Sequence, residues 1–127
     1  MPKHVTMWID HKEARIFHIQ SDKIDETTVL VPQHHVHHKH PKEPGEGKKH
    51  PEEMKRFFHD VGRALAGEED ILVVGPSTAK FEFLRFVHKH EHALEPRIVG
   101  IETVDHPSDR QLVAHARKYF ERSERAS

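Results

Sequence analysis

The chain changes its hydrophobic period partway along, from two residues to between three and four. In HVTMWID (4–10), Val5, Met7 and Ile9 fall on one face and Thr6, Trp8 and Asp10 on the other, the alternation of a strand. ARIFHIQ (14–20) reads as a second strand, with Asp10 to Glu13 as a hairpin turn between the two. SDKID is polar and turn-like, and ETTVLVP (26–32) reads as a third strand stopped by Pro32. After residue 50 the spacing becomes helical: Met54, Phe57, Phe58, Val61 and Leu65 form one stripe. Pro51 suits the first helical position, Glu52 and Glu53 answer the positive end of the helix dipole, and Gly67 closes the helix. ILVVG (71–75) is short and wholly apolar, as a buried strand requires. A second helix is predicted over PSTAKFEFLRFVHKHEHAL, with Ser77 as its N-cap and Pro96 beyond its end. RIVGIETV (97–104) is a fifth strand. Ser108 and Gln111 form a capping box for a last helix, whose inner stripe is Leu112, Val113, Ala116, Tyr119 and Phe120.

The order β-β-β-α-β-α-β-α predicts a mixed five-stranded α/β sheet with helices packed on it, the ribonuclease-H-like arrangement. We expect a single domain over 1–122, carrying a long His/Lys-rich loop at 33–50, and a frayed tail at 123–127. Charge adds little: 20 Lys and Arg stand against 21 Asp and Glu, which gives no general argument for nucleic acid or membrane. The 15 histidines would make the chain cationic below neutral pH. There is no cysteine, which excludes disulfides, thiolate nucleophiles and Cys-type zinc sites and fits a reducing cytoplasm. The first residues have no long apolar core, so we expect neither a signal peptide nor a membrane span.

Candidate chemistry concentrates in the loop PQHHVHHKHPKEPGEGKKHPEE. Between Pro32 and His50 four lysines face two glutamates, a net +2 before any histidine is protonated. Lys39, Lys42, Lys48 and Lys49 could neutralise phosphates, while His34, His35, His37, His38 and His40 could donate to or stack on RNA. The alternatives are a divalent-metal site using His35, His37, His38 and His40, or a plain solvated connector. No other cofactor is expected.

Elsewhere, GPSTAK (75–80) sets Ser77, Thr78 and Lys80 at a strand-to-helix junction, where backbone N–H groups can hold an anion; capping explains Ser77 equally well. It is not a P-loop, since the Gly-Lys-Ser/Thr ending is absent. Asp10 stands where ribonuclease-H-like nucleases place a metal-binding carboxylate. A metal-dependent nuclease or phosphoesterase would use Asp10 with Asp105 and His106, and the structural alternative is that Asp10 shapes its turn. His88 and His92 are spaced i, i+4, as a chelating pair or as a wet basic face.

Four segments carry a family resemblance: MWIDHKEARIFHI, TTVLVPQHHVHHKHPKEPGEGKKH, ILVVGPSTAKFEFLRF and RIVGIETVDHPSDRQLVAHARKYF. Together they resemble the central, ribonuclease-H-like domain of archaeal and eukaryotic class I peptide-chain release factors and their Pelota relatives. As a lone domain with GPSTAK and ETVDHP, the chain is also similar to bacterial proteins labelled translational machinery proteins. The resemblance implies a ribosome or RNA partner and a role in translation, served by the 33–50 loop. It also implies a limit. The release-factor loop carries Gly-Gly-Gln, and here Gly45-Glu46-Gly47-Lys48 stands near that place, so hydrolysis of peptidyl-tRNA is not expected.

Overall fold

The computed structural model describes residues 4–32 and 51–126. Its elements are β1 (His4–Ile9), β2 (Glu13–Ile19), β3 (Ile24–Leu30), α1 (Pro51–Ala64), β4 (Ile71–Gly75), α2 (Ala79–His90), a 3-10 turn (Glu95–Arg97), β5 (Ile98–Thr103) and α3 (Asp109–Ala126). The bounds of α3 take in residues 123–126, which the sequence had set apart as a tail. The strands form one five-stranded sheet in the order β3-β2-β1-β4-β5. The β1–β2 and β2–β3 pairs are antiparallel, and β1–β4 and β4–β5 are parallel. This is the ribonuclease-H-like α/β arrangement that the order of elements predicts.

Helices cover both faces of the sheet. On one face Phe57, Phe58, Val61 and Leu65 of α1 and Phe83 and Val87 of α2 pack on Val5, Met7, Ile9, Ile16, Ile71 and Val73. On the other, Leu112, Ala116 and Phe120 of α3 pack on Trp8, Phe17, Ile19, Leu72 and Val74. Covering both faces explains why β4 reads as an unbroken apolar run. Each of these fully buried large side chains contributes about 1.5–3 kcal/mol by leaving water.

The ends of the elements follow local chemistry. Gly67 closes α1 in the left-handed region at φ +84°, where a Cβ would be strained. The predicted capping box is formed: the Ser108 N–H donates to Gln111 Oε1 at 3.0 Å, and the Gln111 N–H donates to Ser108 Oγ at 3.1 Å. Two boundaries differ from expectation. β3 begins at Ile24 rather than Glu26, because pairing with β2, Ile24 opposite Ile19, sets its limits. It is an edge strand, mostly exposed, so hydrophobic alternation says little about it. α2 begins at Ala79, and Thr78 rather than Ser77 holds the N-cap position.

The tightest backbone approach joins β4 to β1. A Cβ on Gly75 would lie 2.3 Å from the Ile9 carbonyl oxygen, which belongs to the central strand and cannot withdraw. By contrast, a Cβ on Gly67 meets nothing within 4 Å and suffers only from its backbone angle. Gly75→Ala is therefore expected to cost about 2–3 kcal/mol, against about 1 kcal/mol for Gly67→Ala, in urea unfolding. Equal costs would show that the β1–β4 contact is not the tighter constraint.

Candidate functional site at the carboxyl edge of the sheet

Parallel pairing brings the carboxyl ends of β1, β4 and β5 to one edge. Antiparallel pairing adds the start of β2 and the end of β3, with Glu13 opposite Leu30. In α/β sheets this edge is where ligand-binding loops collect. It gathers Asp10 and His11, the 75–80 junction, and Asp105 and His106.

Asp10 serves its turn. Its Oδ1 accepts from the backbone N–H of Lys12 at 2.8 Å and of Glu13 at 2.9 Å, and its own N–H donates to the Glu13 carbonyl at 3.0 Å. The carboxylate replaces partners that the bend denies those N–H groups. The Lys12 carbonyl then accepts from the Val31 N–H at 3.0 Å, which fixes the point where the chain leaves β3.

The next residue, His11, was not singled out by sequence reasoning. Its Nε2 lies 3.1 Å from Glu82 Oε1 in the first turn of α2, and Glu82 Oε2 accepts from Thr78 Oγ1 at 3.1 Å. Thr78 thus spends its hydroxyl on Glu82 and makes no side-chain cap bond. The relay ties the β1–β2 turn to the start of α2. No local pattern announces it, because it spans 71 positions of sequence.

Lys80 turns inward. It is 1% exposed, its Nζ donates to the Ser77 carbonyl at 2.7 Å, and it lies 4.7 Å from the centre of the Phe81 ring. Burial holds its ammonium below the ordinary lysine pKa of 10.5. Of the three residues expected to cradle an anion, Ser77 and Lys80 are thus bonded to each other, and Thr78 is engaged with Glu82.

Asp105 and His106 stand apart from this relay. The Asp105 carbonyl accepts from Trp8 Nε1 at 2.8 Å, while its carboxylate faces solvent, 3.7 Å from His106 Nδ1. His106 rests its ring 5.2 Å from that of Trp8. This is a strap across β1 rather than an acid–base pair turned into a cleft. His88 pairs with Glu95 at 2.9 Å, and His92 lies past the end of α2. Among the described residues no three or more His, Asp or Glu side chains are placed to hold a metal ion. The expected RNA-contacting set (His34, His35, His37, His38, Lys39, His40, Lys42, Lys48 and Lys49), which contains the alternative metal ligands, lies outside the described residues. Among the described residues, no helix is long and apolar enough to cross a membrane.

Solved structures share this architecture. The Pelota protein of Thermoplasma acidophilum matches 85% of this chain at 20% identity and a TM-score of 0.59, over 30% of its own length. The Pelota of Archaeoglobus fulgidus matches 92% at 16% identity and a TM-score of 0.63, over 31% of its length. A further archaeal protein matches 87% at 15% identity and a TM-score of 0.56. At these identities the likeness is one of fold, and the chain spans about a third of each Pelota protein. No family model matches the sequence, and neither does any curated protein. What the likeness defines is therefore a fold, the ribonuclease-H-like α/β arrangement, shared with a part of these Pelota proteins.

Two substitutions separate scaffold from chemistry. Asp10→Asn keeps an acceptor for the turn and is expected to change stability by less than about 0.5 kcal/mol, whereas Asp10→Ala removes it and costs about 1–2 kcal/mol. Chemical denaturation reads both, and equal losses would show that the charge, not the acceptor, matters. Lys80 gives a pH signature. Because its folded pKa lies below the unfolded one, the unfolded chain binds more protons in the window below 10.5, so the Lys80 contribution to stability rises with pH there. Lys80→Met is expected to flatten that rise when unfolding is compared at pH 7 and at about 9.5. An unchanged pH dependence would mean that Lys80 is hydrated in the folded state.

Proposed function

We propose that this chain acts in translation as an accessory that contacts the ribosome or its RNA through the basic segment 33–50, without catalysing bond cleavage. The observation that carries the reading is the fold likeness to Pelota proteins over 85% and 92% of the chain. It joins the sequence resemblance to release-factor central domains, in which the corresponding loop makes the functional contact. The position of the segment supports it too. It leaves from Pro32 just past β3 and rejoins at α1, which leads back to the opposite end of β4, so both attachments lie toward the carboxyl edge.

The chemistry fits contact rather than hydrolysis. The segment holds four lysines and two glutamates, with Gly45-Glu46-Gly47-Lys48 in place of a Gly-Gly-Gln tip. Lysines neutralise phosphate and release counterions, and imidazoles add donors and stacking surface. At the same edge Asp10 is committed to its turn, which leaves it poorly placed to begin a two-metal site.

The test is co-sedimentation of the untagged protein with purified ribosomes at near-physiological salt, beside a variant with Lys39, Lys42, Lys48 and Lys49 changed to Ala. Saturable binding is expected, weakened about ten-fold or more in the variant and steeply dependent on salt. Absence of binding at micromolar protein, or equal binding by the variant, would overturn the reading.

A further inference from the structure

A second surface lies on the outer side of α1 and α2, away from the sheet. Glu52, Lys55, Arg56 and His59 of α1 and Phe86, His90 and the adjoining Glu91 line a groove of ≈ 630 Å³. Its aromatic floor is fixed. Phe86 is half-buried and packs against Phe58 with ring centres 5.8 Å apart, and the His90 ring sits 4.9 Å from Phe86 on the open side. Phe86, held against the core, offers a ring face on which a planar group can stack with little ordering cost, and the exposed His90 ring borders that face at a tilt of 44°.

The charges of the groove are divided unequally between used and unused. Lys55 and Arg56 are exposed and have no acidic partner among the described residues. Of the two acids, Glu91 lies 3.9 Å from His59 and lays its stem along Gly62, while Glu52 is exposed in the first turn of α1, near the positive end of the helix dipole. A ligand entering here therefore meets two cations that have no acidic partner among the described residues, beside a pair of rings tilted to one another. Phosphate and a base, joined by a flexible backbone, match that pattern.

We propose that this groove binds a short single-stranded RNA segment, with one base on Phe86, bordered by His90, and phosphates on Lys55 and Arg56. The choice of RNA rests on the translation reading above. An aliphatic peptide would use the rings but leave both cations without a partner, and a free phosphate would leave the rings unused.

The probe is a fluorescein-labelled oligoadenylate RNA of about ten nucleotides, titrated by anisotropy with the full chain at several salt concentrations. Lys55→Ala with Arg56→Ala, both on exposed positions, is expected to weaken binding about ten-fold and to reduce the slope of log K against log salt by about 1.4, for two phosphates on a single strand. Phe86→Leu keeps an apolar side chain over Phe58 and is expected to weaken binding about ten-fold with the slope unchanged. Lys118→Ala on α3 is the control and should change neither. Wild-type affinity weaker than about 100 μM, or equal affinity in the groove variants and the control, would overturn the proposal. The lysine variant of the 33–50 segment, run in the ribosome assay, separates the two claims. A chain that binds ribosomes but not the oligonucleotide loses the groove and keeps the translation reading. One that binds the oligonucleotide through the groove, but not ribosomes, does the reverse.

Discussion

Everything in this fold hangs on β1 being usable from both faces and both edges. From Val5 to Ile9 every residue is buried, with Val5, Met7 and Ile9 against α1 and α2 and Trp8 against α3. The strand pairs antiparallel with β2 and parallel with β4, so it joins a hairpin meander to the crossover half of the domain. Thr6 makes that position workable, since its buried hydroxyl donates to the Leu72 carbonyl at 3.2 Å and so is not left unpaired. The end of β1 then presses on Gly75 so closely that a side chain there is excluded, and this brings the Asp10–Lys12 turn beside the start of α2.

The same geometry decides what was legible in the sequence. β1, β4 and the inner stripes of α1 and α3 are covered by other elements, so their periods are strong, and Phe57, Val61, Leu112 and Ala116 are buried as their spacing predicts. β3 is an edge strand whose start depends on its partner, so its limits were misplaced by two residues. The Asp10 turn and the Ser108–Gln111 box were readable because each is made within four residues. The His11–Glu82–Thr78 relay and the inward turn of Lys80 were not. They depend on parallel strand pairing, and a lysine in GPSTAK reads as a phosphate ligand until the structure shows it bonded to the Ser77 carbonyl.

These placements bear on the chemistry of the carboxyl edge. Ribonuclease-H-like topology offers a carboxyl edge on which nucleases build metal sites, and a fold alone does not select a chemistry. Here two of the acids on that edge, Asp10 and Glu82, hold a turn and a helix start, while the Asp105 carboxylate faces solvent. Asp10 holds the hairpin, Glu82 ties His11 to Thr78, and Asp105 lends its carbonyl to Trp8. The surfaces proposed for a partner hold cations and rings among acids: the lysines and histidines of 33–50 in the sequence, and Lys55, Arg56, Phe86 and His90, beside Glu52 and Glu91, on the helices that follow. Cations and rings side by side can meet backbone phosphate and unstacked bases, the contact proposed above.

The most direct measurement is a cryo-electron microscopy reconstruction of the wild-type protein bound to ribosomes. The account predicts that the domain meets ribosomal RNA with the carboxyl edge of its sheet and the outer side of α1. Asp10–Lys12 and the start of α1 should then lie nearest the RNA, and the Gln20–Lys23 turn at the opposite end should face solvent. A complex docked through that opposite turn, or through α3, with the carboxyl edge free, would contradict it.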